Sequence, residues 1–235
     1  MTLVIDQEAE DAIFAELEGL GTGLTAISEE RGRVEIAGGG PLHVVIDPID
    51  GSLNAKRGLP FHAVSIAVAS GTSMADVDFG LVHDLGSGEQ WWAHRGRGAF
   101  LDGRRLPQLD AEASLELLAL ETAHPPLVAA IAERIAQVGA HRMRVIGSIA
   151  LAMTHLAAGR LDAMISLRPI RSVDAAAAQL IVREVGGTVV FPDVGASLEE
   201  ASLGLDMRSR VCAAGGPRRV HELVDQLLCP QPSAA

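Results

Sequence analysis

The chain has 235 residues, with 30 Asp and Glu against 19 Lys and Arg, for a formal net charge of −11. Apolar residues make up 48% and charged residues 21%, the balance of a globular protein and not of a disordered segment. The acid excess and the 3% aromatic content argue against a general nucleic-acid binder, which needs cationic faces for phosphates and rings for stacking.

Residues 6–20 predict a helix, with Ala9, Ile13, Phe14 and Leu17 on one face and acids on the other. Gly19, Gly21 and Gly23 end it. A short strand over 24–27 leads into Ser28-Glu29-Glu30. Residues 38–41 read as a loop, and 42–46 as a buried, β-branched strand that stops at Asp47-Pro48. Further strands follow at 63–69 and 79–83. Residues 90–93 and 99–101 form a hairpin about the 94–98 turn, with a second turn at Asp102-Gly103.

Beyond that point helices alternate with strands. Helices are predicted over 125–138, 149–158, 174–185 and 217–228, and strands over 162–167, 188–191 and 210–213. The tail 230–235 is expected to fray. The pattern predicts a layered α/β protein of two sub-domains, 1–112 and 113–235. Cys212 and Cys229 are too few for a disulfide framework and lack metal-ligand spacing. No apolar run reaches membrane-spanning length and no basic leader precedes residue 6, so a cytoplasmic protein without membrane contacts is the expectation. Met143, Met153 and Met164 read as core fillers. The eight His form no metal-binding pattern.

The segment with the clearest chemistry is Asp47-Pro48-Ile49-Asp50-Gly51-Ser52. A strand delivers two carboxylates, Pro48 stiffens the turn, Gly51 permits close backbone approach and Ser52 opens a helix. Such a strand, acidic turn and exposed N–H groups can hold hard divalent cations beside a phosphate. Read from residue types alone, the same pairs serve equally as plain turns.

This segment, with Gly58-Leu59-Pro60-Phe61 and Ala63-Val64-Ser65-Ile66-Ala67, resembles the signature of the inositol monophosphatase superfamily. Its members are Mg²⁺-dependent, lithium-sensitive phosphatases related to fructose-1,6-bisphosphatase. Ser172-Val173-Asp174 through Gly186-Gly187 resembles the superfamily's C-terminal motif, and Ser28-Glu29-Glu30 its upstream acidic loop. The resemblance spans nearly the whole chain. It implies a layered α/β/α/β/α sandwich and two or three Mg²⁺ ions, replaceable by Mn²⁺.

The resemblance also implies roles residue by residue. Glu29, Asp47, Asp50 and Asp174 are metal carboxylates, with the Ile49 carbonyl as a further ligand. Asp6 and the Ser52 hydroxyl position the attacking water. Asp50, Gly51 and Ser52 hold the phosphate. Asp174 serves equally as a helix cap.

Ahead of the second motif, Arg168 and Arg171 replace the acid of a dedicated inositol monophosphatase, and Val173 replaces its Trp. This resembles the dual-specificity branch best known from archaea, in which residues matching Arg144, Ile149 and Arg168 contact substrate. The chain begins close to Asp6, where members of the superfamily carry a further helix and hairpin. A homodimer covering the bared surface is therefore expected. The resulting expectation is a phosphomonoesterase acting on a small phosphorylated metabolite of the fructose 1,6-bisphosphate or inositol 1-phosphate type. A 3′-phosphonucleotide phosphatase and a non-catalytic binding member are the competing readings.

Overall fold

The computed structural model describes residues 4–195 and 197–229; the expected frayed tail lies outside them. Helix α1 (Val4–Gly19) buries Asp6, Glu10 and Phe14, four residues apart and hence on one stripe. The first sheet holds β1 (Leu24–Ser28), β2 (Gly32–Ile36), β3 (His43–Asp50), β4 (Ala63–Ala69), β5 (Val77–Asp84), β6 (Gln90–His94), β7 (Gly98–Leu101) and β8 (Arg104–Arg105). Its order is β2-β1-β3-β4-β5-β6-β7-β8. It is antiparallel except where β1 runs parallel to β3. A short helix, α2 (Ser52–Arg57), separates β3 from β4.

The second sheet has the order β10-β9-β11-β13-β12. Its strands are β9 (Leu117–Glu121), β10 (Arg142–Arg144), β11 (Ala163–Ser166), β12 (Thr188–Val190) and β13 (Cys212–Ala214). Between them run α3 (Pro125–Gln137), α4 (Ile149–Ala157) and α5 (Ser172–Glu184), with α6 (Pro217–Leu223) last. All described strands of the first sheet precede residue 106, and those of the second follow residue 116.

Hydrophobicity explains the layering. Every residue of α4 except His155 is buried, and α5 is buried from Ser172 through Val182 apart from Asp174. Helices apolar all round belong inside, and these two pack between the sheets, α5 on β3–β6 and α4 on β11 and β13. On the outer face of the first sheet, Phe14 of α1 packs with Leu24, Ala26, Val44 and Ile46. On the outer face of the second, Ile131 and Ile135 of α3 and Val220 and Leu223 of α6 cover Leu118, Leu120 and Ile165. The result is an α/β/α/β/α sandwich. The Ala175–Ala178 run of α5 brings that helix against β5: a Cβ on Gly80 would lie 2.5 Å from the Ala177 carbonyl oxygen.

Several local expectations are corrected. Strand β3 does not stop at Asp47-Pro48 but runs to Asp50; a register shift between Asp47 and Asp50 absorbs Pro48, which has no N–H for a ladder. Strands β2, β9 and β10 were not expected. The Leu-rich run over β9 has no strand period and is ambiguous with a helix. Met143 is 45% exposed because β10 is an edge strand with all three residues exposed, whereas Met153 and Met164 are core residues. No described helix is long and apolar enough to cross a membrane.

Candidate active site

Three separate elements deliver the acids. Asp47 and Asp50 come from the C-terminal end of β3. There Asp47 Oδ1 accepts the Ile49 N–H at 3.1 Å. Gly51 follows with φ of 93°, and a Cβ on it would lie 2.6 Å from the Phe61 carbonyl oxygen; both facts require glycine. The Ser52 hydroxyl donates to the Ile49 carbonyl at 2.9 Å, so two of the expected site groups are bonded to each other.

Glu29 lies in the turn after β1. That turn is gripped from below by Glu10 of α1, a 1% exposed carboxylate. Glu10 accepts from the Ser28 hydroxyl and from Arg31 N–H at 3.1 Å. Asp174 is the third residue of α5 and accepts the Arg171 N–H at 2.9 Å, half of a capping box. It therefore braces the first turn of the helix from within and is not the N-cap residue itself.

Glu29, Asp47 and Asp174 converge so that one carboxylate oxygen from each lies within 4.8 Å of the others. They line a cleft of about 550 Å³ together with Ile49, Asp50, Gly51, Ser52 and Ile149. Asp50 is tied to the opposite layer: its Oδ2 accepts from the Ser148 hydroxyl at 2.7 Å and from Ala150 N–H at 2.6 Å.

Burial sets the electrostatics. Desolvation is the largest cause for all four acids. It raises Asp47 well above the usual carboxylate range, with the charges of Asp50, Asp174 and Glu29 adding to it. Asp50 is raised to about 7 by burial and Asp174, against the lowering effect of Ser148 and Ala150. Burial also raises Asp174, opposed by the Arg171 N–H, and Glu29, opposed by the Arg171 guanidinium. Buried like charges of this kind favour a bound cation. The donors are hard oxygens only, carboxylates and the Ile49 carbonyl, which suit a divalent ion such as Mg²⁺ and offer nothing to a soft metal.

The structure does not bring every expected residue to this cleft. Asp6 is buried in the first turn of α1, while Arg144 lies on the exposed edge strand β10. Arg168 is exposed, its N–H donating to Thr122 Oγ1 at 2.8 Å. None of the three is among the lining residues.

Other residues line the cleft or hold its wall without having been singled out. Glu121, 1% exposed, accepts from Ile146 N–H at 2.9 Å and Gly147 N–H at 2.8 Å. Asn54 Nδ2 donates to the Ile146 carbonyl at 2.8 Å from the other side. Thr122 adopts a φ of 50°, a strained value for a β-branched residue. Ser148 caps α4 by accepting the Leu151 N–H at 3.1 Å. Its place before an apolar helix was a readable cap signal; Glu121 at the end of an ambiguous Leu run gave none.

The cleft also contains cations. Arg171 Nη2 lies 2.6 Å from Glu29 Oε1, and its Nε 3.7 Å from Asp174 Oδ1. Burial works against the Arg171 charge, but Asp174, Glu29 and Asp47 outweigh it and raise the group above its ordinary range. Arg208 lines the same cleft, with Nη1 donating to the Leu205 and Met207 carbonyls at 2.6 and 2.8 Å.

Comparison with known proteins agrees over the length of the chain. The family model described as "Inositol monophosphatase family" matches residues 2–232. A fructose-1,6-bisphosphatase/inositol-1-monophosphatase of Methanothermobacter thermautotrophicus is 35% identical over 97% of this chain and 83% of its own. A hypothetical protein of Pyrococcus horikoshii with similarities to inositol-1 monophosphatase superposes with a TM-score of 0.79 at 28% identity, over 96% of this chain and 84% of the other. A Thermotoga maritima inositol monophosphatase gives 0.77 at 26% identity, over 96% and 85%.

Proposed function

The chain belongs to the inositol monophosphatase family, and on that premise we propose that it is a Mg²⁺-dependent phosphomonoesterase acting on a small sugar or polyol phosphate. Phosphatase chemistry follows from the family. The substrate class rests on relatives named for fructose 1,6-bisphosphate and inositol 1-phosphate hydrolysis. The observation that carries the metal requirement is the convergence of Glu29, Asp47 and Asp174 within 4.8 Å.

In this reading Glu29, Asp47, Asp50, Asp174 and the Ile49 carbonyl hold two or three Mg²⁺ ions, with Mn²⁺ able to substitute. When bound, the metal supplies Lewis-acid neutralisation of the phosphate and of the departing oxygen. The Ser52 hydroxyl orients the attacking water; Asp6, proposed as its partner, is buried in the first turn of α1 outside the cleft lining. Gly51 presents its backbone to the phosphate without a side chain in the way. Ile149, in the cleft lining, contacts the remainder of the substrate; Arg144 and Arg168, proposed for the same role, stand outside the lining and would meet only a substrate that extends beyond it. The tie from Ser148 and Ala150 holds Asp50 in one orientation, so the site is positioned before substrate arrives.

The cleft lining contains no aromatic residue among the described residues, which favours a sugar or polyol over the nucleoside of a 3′-phosphonucleotide. We place the sub-domain boundary at 112/113, in the segment joining the two sheets. A homodimer is supported by exposed Phe61 and Val145. The free thiols Cys212 and Cys229 are compatible with a cytoplasmic setting.

Phosphate release from fructose 1,6-bisphosphate, inositol 1-phosphate and 3′-phosphoadenosine 5′-phosphate, with Mg²⁺ and with EDTA, tests the reading. Mg²⁺-dependent turnover of either of the first two supports it. Turnover of the third alone replaces the substrate class. No turnover of any phosphate ester favours the non-catalytic alternative.

A further inference from the structure

Arg171 is a cleft cation to which the phosphatase reading gives no task. Its guanidinium reaches Glu29 Oε1 at 2.6 Å and Asp174 Oδ1 at 3.7 Å. These are two of the three acids whose oxygens converge. Its own N–H is bonded to Asp174 Oδ2 at 2.9 Å, so the backbone that carries the cation is fixed on one of the acids it neutralises. Arg208 also lowers Asp174 by its charge, but its Nη1 is engaged by the Leu205 and Met207 carbonyls, and the ion pairs with Glu29 and Asp174 are made by Arg171.

Two consequences follow from this placement. An arginine stays charged under all ordinary conditions, and three converging carboxylates repel one another unless a cation stands among them. Arg171 therefore relieves the repulsion before any metal binds. A Glu29 oxygen that accepts from a guanidinium at this distance must also give up that contact, or share it, when a divalent ion takes the same carboxylate.

Resting on the metal-centre reading above, we propose that Arg171 is a resident counter-cation of the acidic centre, displaced from Glu29 as the divalent ion binds. It holds the empty centre together and sets the metal concentration at which the centre fills. The guanidinium and the ion compete for one carboxylate, so removing Arg171 has effects of opposite sign. Metal binds more tightly and the metal-free protein becomes less stable. An ordinary ion pair that only orders the loop predicts the reverse for metal, since a disordered Glu29 binds worse.

The test uses Mn²⁺ alone, without phosphate, with free ion followed by electron paramagnetic resonance. R171Q is expected to bind Mn²⁺ about tenfold more tightly than wild type, the scale of one charged hydrogen bond, while its melting temperature in EDTA falls. R171K keeps the charge and is expected to stay within about threefold of wild type. Equal or weaker Mn²⁺ binding by R171Q overturns the proposal. A readout on the unaltered chain guards against a variant that fails to fold: the Arg171 Nε–H resonance should shift during a Mg²⁺ titration with the midpoint of binding. A resonance that stays fixed while Mg²⁺ binds also overturns the proposal. If wild type binds no Mn²⁺, the metal-centre reading falls together with this one. If all variants bind alike, only the counter-cation falls.

Discussion

The Ser148 hydroxyl donates to Asp50 Oδ2 across 2.7 Å, joining residues 98 positions apart in the chain. One partner ends a strand of the first sheet and the other caps a helix that lies against the second. The same hydroxyl oxygen accepts the Leu151 N–H at 3.1 Å, so a single side chain starts α4 and orients an acid of the cleft.

Ser148→Ala removes both bonds at once. The lost cap and the lost hydrogen bond to a charged group together cost about 2 kcal/mol of stability. Asp50, left with only the Ala150 N–H, should rise further in pKa and bind Mg²⁺ more weakly at neutral pH. Urea unfolding and the Mg²⁺ dependence of turnover measure the two effects; unchanged Mg²⁺ dependence would refute the orienting role.

Glu121 holds the loop before α4 through two backbone N–H groups. In Glu121→Gln one of those donors faces an amide NH₂ in place of an oxygen. A buried N–H without an acceptor costs about 1–3 kcal/mol. Loop displacement should lower kcat at least about tenfold, because small misplacements are costly to catalysis. Steady-state kinetics beside a thermal melt gives the answer, and an unaltered kcat argues that Glu121 serves the fold alone.

The raised carboxyls make stability depend on pH and metal. A group with pKa 3.8 unfolded and about 7 folded stays protonated in the native state while the unfolded chain ionises. Below pH 3.8 both states hold the proton and nothing is lost. As pH rises to about 7 the native state forfeits stability, about 4 kcal/mol from Asp50 alone. In EDTA the urea midpoint should therefore fall from pH 4 to 8. Saturating Mg²⁺ should reverse the trend, because metal binds the ionised form. A midpoint insensitive to EDTA throughout that window would be the contrary result.

Gly51→Ala tests the turn between the acids and α2. The left-handed φ of 93° and the 2.6 Å approach to the Phe61 carbonyl leave no room for a methyl group. A cost of about 2 kcal/mol is expected from conformational strain alone. On the proposed reading activity should fall further, since the Gly51 backbone would shift away from the phosphate it is proposed to hold. Calorimetry and phosphate release on the same preparation separate the two losses.

The layers and the acids were legible in the sequence for a physical reason. Apolar runs such as 174–185 name a buried helix, and an acid at each end of a buried segment stands out against its apolar context. Asp47 carried that contrast, though a plain turn would carry it too; Glu29 and Asp174 were marked only by the resemblance to the family's motifs, and in the structure the three converge. Glu121 and Glu10 carried none, because each looks like a solvated polar residue until its partner is known, and Ser148 signalled a helix cap but not its bond to Asp50. Their partners, Asp50, Ile146 and Ser28, lie far along the chain, and pairing at such distances is a property of topology that no local pattern records. Strand β9 escaped for a related reason. Its Leu-rich run is buried on both sides and so loses the alternation that marks a half-exposed strand.

Gly80 lies on β5 and does not line the cleft, and its contribution is an absent side chain. The Ala177 carbonyl oxygen lies 2.5 Å from where its Cβ would stand, so the helix carrying Asp174 sits closer to the first sheet than a side chain at this position would allow. The strand carrying Asp47 belongs to that sheet. The gap between these two acids is therefore calibrated from inside the core, as a caliper is set by its hinge and not by its jaws. Tuning of the site need not touch a ligand: each methyl group added under α5 opens the jaws, and selection for metal affinity reaches as deep as the packing of a glycine on an alanine.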